Sequence, residues 1–375
     1  MNPMLDHAGA WLVACACAGA MLGWVVAWGV DRLGDHEAGP SIGRRRFERA
    51  LVVVAMAAGA PGLWWWEVAS RGQLPPQAVD VPAAILTWRW AGHLVFLGFL
   101  AAASWIDLRE RVIPDAITLP GVLAGIAWSG LVPRALPPVA LAVPRSFAAP
   151  LFEPDVLGLC GPIGDTVLPW CLAAAPVMAG LAVATALFVG WWLVCTASPD
   201  RGIADGFRFD PRLPALGMGL VGIGAAWWSG GDRWIAVLSA LVGMATGVAC
   251  VWATRITASR ALGREAVGFG DVTLVAVIGA WLGWQGVCFA CCLGVLVGLV
   301  HGVTRFVLAS DNELPFGPGL CVGALLTIVL WEPLWSRFAP AFERPHEVAA
   351  AAGLVITLTA AVLAVWWRLR RGSRA

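Results

Sequence analysis

The sequence predicts an all-α fold: a polytopic transmembrane helical bundle of about eleven spans. Three observations carry that expectation. Of 375 residues, 59% are hydrophobic and only 13% charged, against about 25% charged in an ordinary soluble domain. Apolar runs close to the roughly 20 residues that cross a bilayer recur along the whole length. The basic residues, all of them arginine, also fall unevenly on the segments between those runs, as the positive-inside rule requires.

In chain order the expected spans are 9–30, 50–70, 90–107, 115–133, 172–196, 214–230, 234–256, 271–285, 287–305, 317–335 and 348–367. The 271–285 run is short for a crossing. The first span has no basic stretch before it and no hydrophilic domain after it, so it reads as a retained helix and not a leader. A basic loop over 31–49 joins the first two spans. The segment "RGQLPPQAVDVPA" (71–83) reads as an external loop, 134–171 as a proline-rich external insertion, and 197–213 as a solvated linker. With the N-terminus outside, one face collects Arg44, Arg45, Arg46, Arg109, Arg111, Arg255, Arg260, Arg264, Arg368 and their neighbours. The other keeps only Arg71, Arg89, Arg134, Arg145, Arg233, Arg337 and Arg344. The first face is therefore the cytoplasmic one. Tryptophans at span ends, Trp64 to Trp66 and Trp227-Trp228 among them, suit the interfacial belt.

A net charge of +1 gives no reason to expect a nucleic-acid partner. Most of the ten cysteines sit inside apolar runs. Cys288 and Cys291 are spaced as C-x-x-C, but no second pair stands in a polar loop, so they read as small packing residues. Cys160 and Cys171 lie in or near an external loop, where a disulfide is possible.

Three stretches carry chemistry, and the arginine-based topology puts all three on the cytoplasmic face. The first is "SWIDLRERVIPDAITLP", where an apolar run ends on Asp107 and the chain turns at Pro114-Asp115. The second is "REAVGFGDVTL", with Glu265, Gly268, Gly270 and Asp271. The third is "NELPFGPGL", with Pro315, Phe316, Gly317 and Pro318. A carboxylate at a helix end within reach of lipid costs energy. Two that face one another can divide labour: like-charge repulsion and desolvation keep one protonated and one ionised. The ionised acid takes a proton from water while the protonated one polarises a peptide carbonyl. Gly268 and Gly270 would let the backbone approach closely and adopt torsions closed to other residues. Pro114 would end or restart the helix, and Asp115 would cap the next one. Singly, each motif has a plain reading as a solvated helix end or a turn. Arg89, His93 and His301 lie in or beside spans, where such groups form a proton path or, more commonly, pair locally. Glu265 either orients the second motif or solvates its loop.

Together these stretches resemble the type IV prepilin peptidases, membrane aspartic proteases of the G-x-G-D class. The first motif of that family is similar to "IDLRERVIPDAITLP", the second to "EAVGFGDVTL", and a later segment to Pro315 through Pro318. The likeness runs over roughly 95–133 and 230–330. It implies Asp107 and Asp271 as the catalytic pair, Gly268 and Gly270 shaping the second turn, and Pro114, Asp115, Glu265, Pro315, Phe316, Gly317 and Pro318 as supporting motif residues, with no metal. It also implies cleavage, at the cytoplasmic face of a bacterial inner membrane, of the leader of a prepilin or pseudopilin-like protein whose apolar helix lies beside the enzyme in the lipid bilayer.

Three departures stand out. Thr273 replaces the family's usual lysine. The 31–49 loop lacks the cysteine pairs that many members carry there, so no zinc is expected. No cofactor is expected either, S-adenosylmethionine entering only if methyl transfer is retained. The stretch between the two aspartates is longer than usual, and two added spans return Asp271 to the face of Asp107. The domains read as a two-span region over 1–89, a peptidase-like core over 90–335 with an insertion at about 134–213, and a C-terminal span with a basic tail over 336–375. The rival readings are a catalytically silent assembly scaffold and a proton-coupled transporter. The second expects carboxylates at mid-bilayer on broken helices, and neither feature is seen. Oligomeric state is not legible.

Overall fold

The computed structural model describes residues 8–33, 42–74, 82–133, 178–196, 212–263, 265, 267–309, 316–342 and 345–372. These form eleven α-helices, with no strand among the described residues. They are α1 (Ala8–Leu33), α2 (Ile42–Trp64), α3 (Ala83–Glu110), α4 (Asp115–Leu131), α5 (Met178–Thr196) and α6 (Arg212–Ser229). After them come α7 (Gly231–Leu262), α8 (Phe269–Ala309), α9 (Gly317–Val329), α10 (Trp331–Phe342) and α11 (Pro345–Gly372). A π-helical turn, Trp65–Ala69, extends α2 beyond Pro61. The prediction of an all-helical, multi-pass membrane bundle holds.

Six helices are long and apolar enough to cross a membrane, or seven if α9 and the start of α10, bent by 81°, count as one broken span. Asp115–Leu131, Leu213–Ser229 and Glu347–Thr359 are apolar but shorter. Every one of the expected spans falls on helix, apart from residues 70, 132–133, 172–177, 230 and 330, which lie at or beyond helix ends or outside the described residues. The second begins earlier than expected, at Ile42. Its added turn is polar and braced by Arg44 to Glu48 at 2.9 Å, four residues apart, and by an ion pair from Arg49 to Asp31 of α1. The segments 134–177 and 197–211, with Cys160 and Cys171, lie outside the described residues. Cys288 and Cys291 are free thiols.

The 41-residue run of α8 is two helices. Gly283 sits at φ 71° and ψ 179°, a conformation only glycine adopts readily. The chain reverses there. Val275 and Val287 both lie against Gly247 of α7, within 2.4 and 3.0 Å of where its Cβ would stand. Twelve residues of straight helix would hold them about 18 Å apart. The sequence-based division into 271–285 and 287–305 is therefore right, and the break falls on Gly283. The first arm packs on α7 so closely that a Cβ on either Gly243 or Gly279 would stand 2.2 Å from the other's carbonyl oxygen. Such small-residue contacts are how helices associate where lipid offers no hydrophobic penalty. The reversal brings the start of α8 and the start of α9 to one end of the bundle.

Candidate functional site

The first acid closes a helix. Asp107 lies in the last turn of α3, where Arg111 at φ 57° caps the helix by donating its N–H to the Asp107 carbonyl at 3.0 Å. Residues 112 to 114 are non-helical, and Pro114 at φ −74°, ψ 143° is the N-cap of α4. Asp115 therefore stands in the first turn of α4 and not at its cap, a correction to the expected capping role. A carboxylate there still favours the helix through its dipole.

The second acid opens a helix. Asp271 lies in the first turn of α8 and accepts a hydrogen bond from the Gly268 N–H. Neither Gly268 nor Gly270 has the positive φ that the sequence suggested, so the expected torsional role is overturned. Close approach is what Gly270 supplies: a Cβ there would stand 3.0 Å from Ile113 Cβ and 3.2 Å from Ile113 N.

The third motif closes the arrangement. Phe316 is the N-cap of α9 and Pro318 occupies its first turn, where a missing N–H loses no helix bond. Pro315 lies outside the described residues. Gly317 donates its N–H to Asp107, and a Cβ on it would fall 2.5 Å from Asp107 Oδ2 and 3.1 Å from Ile113 Cδ1. The three motifs thus meet around Ile113. Asp107 and Asp271, only 6% and 8% exposed, lie close enough for the charge of one to act on the other. Asp107 Oδ2 is buried without a hydrogen-bond partner among the described residues.

Arg255 of α7 braces the second motif. It donates to the Val267 carbonyl at 3.0 Å, pairs with Glu265, and lies over the Phe269 ring with its guanidinium carbon 5.4 Å from the centroid. Glu265 is thus tied to the motif through Arg255. Thr273, where the family's lysine was expected, is buried and donates from Oγ1 to the Gly270 carbonyl at 3.0 Å. Arg109 pairs with Glu48 and sits 5.0 Å from the Trp105 ring centroid. No cluster of three or more His, Cys, Asp or Glu that would hold a metal occurs among the described residues.

The sequence model described as "Type IV leader peptidase family" matches residues 210–303, the stretch that carries Gly268, Gly270 and Asp271. Relatives agree with it. A "Prepilin leader peptidase/N-methyltransferase" of Burkholderia pseudomallei (strain K96243) is 29% identical over 223 residues, 57% of this chain and 63% of that protein. One from Pseudomonas aeruginosa is 32% identical over 122 residues, 32% of this chain and 40% of that protein. Over residues 210–303 the chain is similar to the type IV leader peptidase family. A third protein of the same description, from Aeromonas salmonicida, is 33% identical over 95 residues, 24% of this chain. The chain spans 32% of the length of that relative. No solved structure matches.

The two acids that the sequence singled out are brought together in the structure; Ile113 and Arg255, which it passed over, take their places only when the motifs meet. It also passed over Glu67 and Gln73, both buried. A lone glutamate beside "LWWW" in an apolar run, with Arg89 and His93 in the next one, was the available signal.

Proposed function

We propose that this protein is a membrane aspartic endopeptidase that cleaves the leader of a type IV prepilin or pseudopilin-like substrate at the cytoplasmic face of the inner membrane. The observation that carries this reading is the meeting of Asp107 and Asp271, both buried, from two motifs with four described helices between them. Two carboxylates held this way share one proton. The ionised one takes a proton from a water molecule, whose oxygen attacks the scissile carbonyl. The protonated one donates to the carbonyl oxygen, and collapse of the tetrahedral intermediate passes a proton to the leaving amine. The Gly317 N–H favours the ionised form of Asp107, and Oδ2, buried without a hydrogen-bond partner among the described residues, is available to the water. The substrate's apolar helix lies in the bilayer, with its junction at the interface where α3 ends and α8 begins. The relatives' names include N-methyltransferase; only the peptidase activity is proposed here, since the 31–49 loop carries no cysteine.

Co-expression with a tagged prepilin tests the proposal. Wild type is expected to convert the precursor to the mature form, and Asp107→Asn or Asp271→Asn to leave it uncut. Substantial mature product from either variant would overturn it.

A further inference from the structure

The ends of α3 and α9 remote from the dyad meet a second group of buried polar side chains. Glu67 on the π turn is 1% exposed, Gln73 2%, Arg89 0% and His93 2%. His93 Nδ1 lies 2.7 Å from Glu67 Oε1, and Gln73 Nε2 donates to the same oxygen at 3.1 Å. The Arg89 charge also acts on Glu67. Groups of this kind are costly to bury unless they satisfy one another. Their placement on the π turn, the turn that follows it and α3 gathers them at one point.

What they hold is the far end of α9. The last carbonyls of a helix have no partner within it. Here Gln73 Nε2 donates to the Ile328 carbonyl at 2.9 Å, and Trp66 Nε1 donates to the Val329 carbonyl at 3.1 Å. At the opposite end, about 17 Å along the same helix, Gly317 gives its N–H to Asp107. The neighbouring α3 carries both His93 and Asp107, about 21 Å apart. Between those levels Cys321 of α9 donates to the Leu100 carbonyl of α3 at 3.4 Å. Two helices are therefore pinned to each other at both ends and in the middle.

We propose that Glu67 and Gln73, supported by His93 and Arg89, form a positioning clamp that sets the height of α9 along α3 and so the reach of the Gly317 N–H to Asp107. Its kinetic consequence rests on the peptidase reading; its mechanical consequence does not. Gln73 is the informative member, because its one amide nitrogen joins Glu67 to α9. A helix freed at its far end slides or tilts, and Gly317 has no slack, since its Cα neighbourhood already abuts Asp107 and Ile113.

The test uses the full chain in liposomes, as wild type, Gln73→Leu and Trp66→Phe. The last is a mild change at a partly exposed residue, which keeps the question answerable if Gln73→Leu fails to fold. Peptide-resolved alkylation by N-ethylmaleimide reads native Cys321, with buried Cys15 and Cys195 as internal references. The same preparations are assayed for kcat and KM on a prepilin substrate. In the variants Cys321 is expected to react about tenfold faster while Cys15 and Cys195 stay protected, and kcat is expected to fall about tenfold at nearly constant KM. An unchanged Cys321 rate, or equal acceleration at all three cysteines, would overturn the clamp. So would a normal kcat in a variant whose Cys321 has become reactive. Wild type that fails to cleave at all would instead remove the peptidase reading, and the alkylation result would still judge the clamp.

Discussion

Gly317 has the least room of the glycines at the site. A methyl group on it would stand 2.5 Å from Asp107 Oδ2, far inside contact distance, so Gly317→Ala must push the carboxylate or the helix aside. Displacements of about 1 Å at a reacting group cost on the order of 10²-fold in rate. Gly317→Ala is therefore expected to lose about that much kcat for prepilin cleavage while still inserting in the membrane, as read by steady-state kinetics beside an expression blot. A second pair of substitutions separates the bracing residues. Glu265 is largely exposed, and exposed pairs contribute little, so Glu265→Gln should leave cleavage within about twofold. Arg255→Ala also removes the bond to the Val267 carbonyl and the packing on Phe269, and a several-fold larger loss is expected in the same assay. Both acids were legible because a carboxylate at the end of an apolar run is conspicuous in the sequence. Ile113 was not, being one apolar residue among many until Gly270 and Gly317 close on it.

Among the elements, the reversal at Gly283 decides whether a site exists. Without it the start of α9 would lie at the far end of a 41-residue helix from Asp271. The combination φ 71°, ψ 179° is essentially glycine-only and costs other residues about 1–3 kcal/mol. Gly283→Ala is expected to destabilise the protein by that amount in a thermal unfolding series in detergent. Little steric crowding should add to it, as no atom stands closer than 3.6 Å to the new methyl position. The sequence placed a boundary here from the lengths of two apolar runs, and the helices fell where those runs predicted. The torsions assigned to Gly268 and Gly270 were misplaced because a glycine motif does not say whether its glycines serve φ or close approach. In this protein Gly270 serves approach and Gly283 serves φ. Cluster formation by Glu67, Gln73, Arg89 and His93 was equally hidden, since it joins residues on opposite sides of a proline-rich segment.

At the level of the whole molecule, four helices among the described residues lie between Asp107 and Asp271, and an even number of crossings returns the chain to the same membrane face. The arginine count alone says which face that is, and the cytoplasmic orientation is a proposal. Single cysteines in a background with the native ones replaced give a direct check. Glu110→Cys, beside the dyad, should resist a membrane-impermeant thiol reagent applied to intact cells, and Ser229→Cys, at the opposite end of α6, should react. The reverse pattern would invert the topology and put hydrolysis on the wrong side for a cytoplasmic leader. The helical spans were readable because apolar run length acts along the chain. The tertiary fit at the site was not, because the second motif meets the first only after the intervening helices have packed.

The most direct measurement is the rate of prepilin cleavage by the purified protein in liposomes, compared among wild type, Asp107→Asn, Asp271→Asn and the double substitution. Two acids working on one water molecule act as a unit, so each single change should cost on the order of 10²–10⁴-fold in kcat, and the double change should cost little more than either alone. Substantial cleavage by either single variant, or losses that multiply in the double, would contradict a shared site of hydrolysis.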